Sequence, residues 1–224
     1  MEQAKGWRIE ACDGPSGCLY RVQDDGPLIL AIGELLARRF TGPAGKRPFL
    51  VSVSSCPNAC SRPQIADVGL IGASVPELTG EPCILCMACV LACGEGAVTV
   101  PRNIPLIDQG RCVSCGQCAR NCVPGTIVEG KKGYRLLVGG RLGRHPSLGE
   151  ELPGIYTADG ILDILGCCLD LRERDGREGE RFGETIARSG IASLHTCIRA
   201  RNVETVKAAT GPRARRHVTR GPAR

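Results

Sequence analysis

The sequence has 15 cysteines in 224 residues, and their spacing carries most of its chemical content. Two copies of one pattern hold eight of them: Cys83-x2-Cys86-x2-Cys89-x3-Cys93 and Cys112-x2-Cys115-x2-Cys118-x3-Cys122. Thiolate sulfur is a soft ligand that stabilises both Fe(II) and Fe(III) by covalency. A Cys-x2-Cys-x2-Cys loop wraps three irons of a cubane with one tight turn and leaves the fourth corner to a distant cysteine. In the two-cluster arrangement each fourth cysteine ligates the other cluster. That assigns Cys83, Cys86, Cys89 and Cys122 to one 4Fe–4S centre. Cys93, Cys112, Cys115 and Cys118 go to the second. Zinc sites instead pair two Cys-x2-Cys knuckles across a longer loop, which this doubled repeat does not match.

The repeat spacing is that of bacterial two-cluster ferredoxins. Gly116 and the Val123-Pro124 after Cys122 suit the loop chemistry, whereas Gly94 stands where proline is common. Outside the repeat lie Cys12-x5-Cys18 and Cys56-x3-Cys60, each weak evidence taken alone, with buried free thiols as the lesser alternative. Their context is more specific. Ser55-Cys56-Pro57-Asn58-Ala59-Cys60, followed after a short gap by Asp67-Val68-Gly69-Leu70, resembles the signature of the sirohaem-dependent nitrite and sulfite reductases. The resemblance implies a third 4Fe–4S cluster on Cys12, Cys18, Cys56 and Cys60, with Cys60 also bridging to a sirohaem iron. Asn58, between two ligands, would donate to a macrocycle carboxylate or a cluster sulfur, or simply stabilise the turn.

The likeness continues in Gly133 to Pro146 and Leu152 to Tyr156, which are similar to the region after the insert in anaerobic and dissimilatory-type sulfite reductase subunits. It implies six-electron reduction of sulfite to sulfide, with electrons passing from the ferredoxin-type pair to the sirohaem-coupled cluster. Nitrite reduction to ammonia, or a non-catalytic electron-transfer subunit of a larger complex, are the alternatives. Full-length relatives of this kind carry a ferredoxin-like half-domain before the first cysteine pair, and here Cys12 comes almost at the start. A fragment, a short subunit completed by a partner, or a chain kept for electron transfer all fit that departure, and an oligomer or complex is expected. Anion capture needs guanidinium or ammonium groups, for which the candidates are Arg62, Arg141 and Arg144. His145 is a possible proton donor, while His195 and His217 have no supporting context. Cys167, Cys168 and Cys197 read as structural thiols.

These groups need elements to hold them. Leu28, Ile29, Ile32, Leu35 and Leu36 share one face of a helix over 27–40, with Pro27 suited to its first turn. Strands are expected at 49–53, 68–73 and 134–138. A helix capped by Thr157 is expected over 158–171, then a charged segment over 172–181 and helical pieces at 182–188 and 191–207. The fold class expected is α+β: a nitrite/sulfite reductase 4Fe–4S domain in two parts, 1–80 and 126–207, with a bacterial-ferredoxin-like βαββαβ module inserted at 81–125. Residues 208–224 form a basic tail expected to be disordered. It holds five arginines, so the net charge of +6 describes the tail more than the body. No folded basic face accompanies it, which argues against nucleic-acid binding. The polar start, Met1 to Arg8, has no apolar core segment, and no apolar run approaches the roughly 18 residues of a membrane span. A reducing, cytoplasmic setting follows for so many metal-bound thiolates. With aromatic residues at only 3%, the core must rest on Leu, Ile, Val and Ala.

Overall fold

A computed structural model describes residues 6–12, 18–41 and 47–207. The expected tail at 208–224, with His217, lies outside the described residues. The elements run β1 (Trp7–Ala11), α1 (Gly26–Arg39), β2 (Phe49–Ser54), β3 (Val68–Leu78), α2 (Ala88–Leu91), β4 (Val98–Thr99), β5 (Leu106–Ile107) and α3 (Gln117–Arg120). After these come β6 (Ile127–Val138), β7 (Glu150–Tyr156), α4 (Ala158–Asp175), α5 (Phe182–Ser189), α6 (Ala192–Ala200) and β8 (Thr205–Lys207). The main sheet has the order β1-β2-β3-β6-β7-β8. Its first three strands are parallel and the remaining pairings antiparallel. Such a mixed sheet with helices is the expected α+β class.

Alternation along the strands decides what the sheet buries. Val51 and Val53 of β2, Val68 and Leu70 of β3, and Leu136 and Val138 of β6 join one core with Leu28, Ile32 and Leu36 of α1 and the inner side of α4. α4 begins at the expected cap, where Thr157 Oγ1 accepts the Gly160 N–H at 3.1 Å. It runs past the expected end at 171 to Asp175. Arg172 explains the extension: its guanidinium lies 4.9 Å from the Phe40 ring centroid and donates to the Arg47 carbonyl at 2.7 Å. The charged segment thus starts with a buried arginine and finishes the helix.

β1, β7 and β8 lie outside the expected strands, and β8 replaces the end of a helix that stops at Ala200. Asn202, in the left-handed region at φ 49°, turns the chain from α6 toward β7. Of the three structural cysteines, Cys167 on α4 forms a disulfide with Cys197 on α6. Cys168 faces the core as a free thiol, and burial pushes its pKa up.

β3 and β6 extend together beyond the sheet as an antiparallel ribbon ending at the Leu78–Ile127 pair. Segment 81–125 leaves and returns through that ribbon. Counting the ribbon tips, its order is strand, helix, strand, strand, helix, strand, with β4 paired to β5. It has a small core of its own in Cys89, Val98, Cys118, Ala119 and Ile127. Among the described residues no helix is long and apolar enough to cross a membrane.

Candidate metal centres

Parallel pairing of β1 with β2 brings the two distant cysteine pairs to one end of the sheet. Cys12 follows β1, and its N–H donates to the Val53 carbonyl at 2.9 Å. Cys56 follows β2, whose end lies beside Gly72 of β3. The segment after Cys18 is tied in by the Val22 N–H, which donates to the Ser55 carbonyl at 3.0 Å. Burial pushes the Cys56 thiol up, the Asn58 backbone N–H opposes it, and the nearby Cys60, Cys18 and Cys12 push it further. The four thiols therefore share one neighbourhood. The group of Asn58 that reaches sulfur is its backbone amide, while the residue itself is exposed. Within this quartet Cys56 is buried, Cys12 and Cys18 are half-buried, and Cys60 is exposed.

Backbone geometry holds the loop from Cys56 to Ala66 against the sheet. Ala59 and Arg62 take left-handed φ values of 54° and 57°. A Cβ on Gly69 would stand 2.0 Å from the Pro63 carbonyl oxygen, and one on Gly72 would stand 2.4 Å from that of Ser55. These glycines are needed for close backbone approach. Asp67 staples the same region by accepting the Leu50 N–H at 2.8 Å, with Arg181 3.8 Å away. Three serines escaped the sequence reading. Ser52 Oγ donates to the Ser61 carbonyl at 2.7 Å, Ser61 Oγ donates to the Val53 carbonyl at 2.8 Å, and the Ser54 hydroxyl lies 2.6 Å from that of Ser61. Alternating serines in an otherwise apolar strand were the available signal.

In the inserted segment the thiols group across the repeats. Burial raises the Cys89 pKa, and Cys122 and Cys83 raise it further. Cys118 is pushed up to about 12 by burial, then by Cys112, Cys115 and Cys93. Cys122 thus lies with Cys83 and Cys89 of the first repeat, and Cys93 lies with Cys112, Cys115 and Cys118 of the second. The repeat extends to the backbone: Leu85 and Ser114, and likewise Met87 and Gly116, are equivalent positions with positive φ. Three backbone amides point at sulfur, one from the Ser114 turn and two from the segments after Cys93 and Cys122. The N–H groups of Ala97, Ser114 and Ile127 donate to Cys93, Cys112 and Cys122 Sγ at 3.2, 3.4 and 3.2 Å. All twelve of these cysteines are free thiols. Among the described residues no three such groups converge closely enough for a single metal ion. A cubane has its irons at separate corners, so it spreads its thiolates more widely.

One inserted quartet abuts the main sheet. Ser74 of β3 forms a parallel bridge with Cys115, and its N–H donates to the Ser114 carbonyl at 2.7 Å. Arg120 of α3 donates to the carbonyls of Leu19 and Arg21 at 2.9 and 2.8 Å, just beyond Cys18. Glu129 holds that guanidinium at 2.9 Å. The quartet with Cys115 is therefore inner. The loop around Cys86 is outer and carries exposed Ile84, Leu85, Met87 and Leu91.

The candidate anion contacts separate. Arg62 is exposed, two residues from Cys60. Arg141 and Arg144 follow β6, whose Val138 pairs with Val68, so they leave the sheet at the end opposite Cys12 and Cys56. Arg141 donates to the His145 carbonyl at 3.2 Å and stands 3.8 Å from Glu184. Arg144 and His145 are exposed on the same loop, and His195 lies on α6.

Residues 2–205 match the family model described as the nitrite and sulphite reductase 4Fe-4S domain. The chain is 30% identical, over 82% of its length, to the coenzyme F420-dependent sulfite reductase of Methanocaldococcus jannaschii, covering 29% of that protein. It is 33% identical, over 42% of its length, to a subunit of the anaerobic sulfite reductase of Salmonella typhimurium, covering 26% of that protein. The chain thus matches under a third of the length of either relative. A crystal structure of dissimilatory sulfite reductase I superposes with a TM-score of 0.64 at 20% identity, covering 94% of this chain and 55% of that one. At that identity the superposition shows the shared fold.

Proposed function

The chain belongs to the nitrite and sulphite reductase 4Fe-4S domain family, and from that premise we propose that it is an iron–sulfur and sirohaem subunit for the six-electron reduction of sulfite to sulfide. The observation that carries the proposal is the gathering of Cys12, Cys18, Cys56 and Cys60 at one end of the sheet, beside the inner quartet docked on Ser74. When bound, three 4Fe–4S clusters carry electrons singly and sirohaem offers an iron at which the anion is reduced.

The residues fit these groups. Cys83, Cys86, Cys89 and Cys122 would hold the outer cluster, and Cys93, Cys112, Cys115 and Cys118 the inner one. Amides aimed at Cys93, Cys112 and Cys122 favour sulfur carrying negative charge. Cys12, Cys18, Cys56 and Cys60 would hold the third, with Cys60, the exposed thiol of its quartet, as the bridge to the macrocycle. Arg62 is the guanidinium closest in sequence to that thiol and is our candidate to attract sulfite. Arg141 and Arg144, at the other end of the sheet, would be candidates for a carboxylate of the macrocycle. Partner subunits and an electron donor follow from the same reading, supported by one relative that is itself named as a subunit. A reducing, cytoplasmic setting suits the thirteen unpaired thiols among the described residues, although the Cys167–Cys197 disulfide stands against it.

Turnover by anaerobically purified protein, with a reduced viologen as donor, tests the proposal. Sulfide formed from sulfite faster than ammonia from nitrite is the expected result. The reverse order would make the subunit a nitrite reductase. Consumption of neither anion by protein with full iron and haem would leave it as an electron-transfer subunit.

A further inference from the structure

Ser74 is fully buried at 0% exposure, and its Oγ has no hydrogen-bond partner among the protein atoms. Buried hydroxyls are normally bonded, because an orphan donor loses its water without replacement. The position of this one is specific. The Ser74 backbone bridges to Cys115, and a Cβ on Gly116 would stand 3.3 Å from Ser74 Oγ. The hydroxyl therefore lies against the turn at Gly116, one residue beyond a thiol of the inner quartet. That turn is fixed by the left-handed φ of Ser114 at 54° and of Gly116 at 74°. Arg120 holds the same short helix from its other end, and its partner Glu129 also lies against the turn at Gly116. The junction is thus built around an O–H group whose neighbours in the protein do not use it.

Sulfur of a cubane accepts hydrogen bonds, and such bonds are among the factors that set its potential. We infer that Ser74 Oγ donates a hydrogen bond to a sulfur of the 4Fe–4S centre held by Cys93, Cys112, Cys115 and Cys118, making that inner centre easier to reduce. The inference rests on the ligand assignment proposed above. Its sign follows from charge. One added electron makes the cluster more negative, so a donor stabilises the reduced form more than the oxidised one. The chain's fold supplies this donor from β3, the strand whose Gly72 lies against Ser55 beside the third quartet. An inner centre raised in this way draws electrons inward from the outer one.

The test is a redox titration of the anaerobically purified protein followed by EPR, with iron and sulfide measured on the same samples. Ser74→Ala removes the hydroxyl without adding volume. It is expected to lower the potential of one centre by an amount equivalent to about tenfold weaker reduction, 59 mV for a one-electron couple, at unchanged iron content. Ser74→Thr keeps the hydroxyl and is expected to hold the native potential. A Thr variant shifted as far as Ala overturns the assignment. Cys115→Ser supplies the control for the underlying reading, since it should alter the signal of the same centre. If Cys115→Ser perturbs a centre whose potential ignores Ser74→Ala, Ser74 alone is refuted and its partner is a buried water. If Cys115→Ser changes nothing, the ligand assignment and the Ser74 inference both fail.

Discussion

Gly69→Ala is the sharpest single test of how the third quartet is held. The added Cβ would stand 2.0 Å from the Pro63 carbonyl oxygen, 2.6 Å from its carbon and 2.8 Å from Pro63 Cβ. Ordinary contact begins at 3.4 Å, so the carbonyl must retreat by about 1.4 Å. It cannot do so by rotating a side chain, because two of the three clashing atoms are backbone and the third is in a proline ring. Pro63 follows Cys60 by three residues, and Ser61 between them is bonded to β2 through Ser52, Ser54 and Val53. Moving Pro63 therefore strains those bonds or displaces Cys60. Overpacking of this kind costs about 1–3 kcal/mol, and the upper end applies where backbone must move. Gly80→Ala is the control, since its Cβ meets nothing within 4 Å, and it should change stability by less than about 0.5 kcal/mol. Denaturant unfolding and iron analysis read the result. The Gly69→Ala protein should lose about 3 kcal/mol and about a third of its iron, one cubane of three, while the two inserted clusters remain. Full iron and native stability in Gly69→Ala would falsify the close packing of this loop on β3.

The other expectations are independent of that loop strain. Arg120→Gln should cost about 0.5–1.5 kcal/mol by removing hydrogen bonds to two solvent-accessible carbonyls beyond Cys18, and limited proteolysis near Leu19 should speed up; Arg120→Lys should not restore protection, because it lacks the planar fork. Cys60→Ser should abolish magnetic coupling between cluster and haem while the EPR signals of the two inserted centres persist. Glu180 is held down at about 2, chiefly by the Arg188 guanidinium 2.8 Å away and against the effect of burial. A depressed carboxylate contributes stability above its unfolded pKa of about 4.3 and loses it as pH falls toward the folded value. The melting-temperature loss in Glu180→Gln should therefore be small and constant between about pH 6 and 8; a loss that grows or fades across that range would contradict the pairing.

Local signals made part of this fold legible. Leucine and isoleucine at helical spacing behind Pro27 gave α1, and Thr157 gave the start of α4. β1 was missed because five residues with an exposed arginine and a glutamate become a strand only through β2, some forty residues away. The full length of β3 and β6 was hidden by glycines and Pro76, residues that weaken a strand pattern. Yet Gly133 and Gly130 are there because Tyr156 O and the Glu77 side chain come within 2.5 Å of where their Cβ atoms would lie. At the site, spacing was enough to group the inserted thiols, since the loops themselves are local. Which quartet touches the sheet was not readable, because Ser74 and Arg120 look like an ordinary strand serine and a surface charge. The disulfide between Cys167 and Cys197 was equally hidden: neighbours on a helix point apart, and only the packing of α6 selects Cys167 over Cys168.

The central claim is that one quartet of this chain serves a sirohaem and two serve relay clusters. The visible spectrum of anaerobically purified protein, recorded with iron and sulfide content on the same sample, tests it most directly. The account requires a Soret band and a red band above broad iron–sulfur absorption, with about twelve cluster irons per chain, three cubanes of four. Full iron and sulfide loading without either haem band would contradict it.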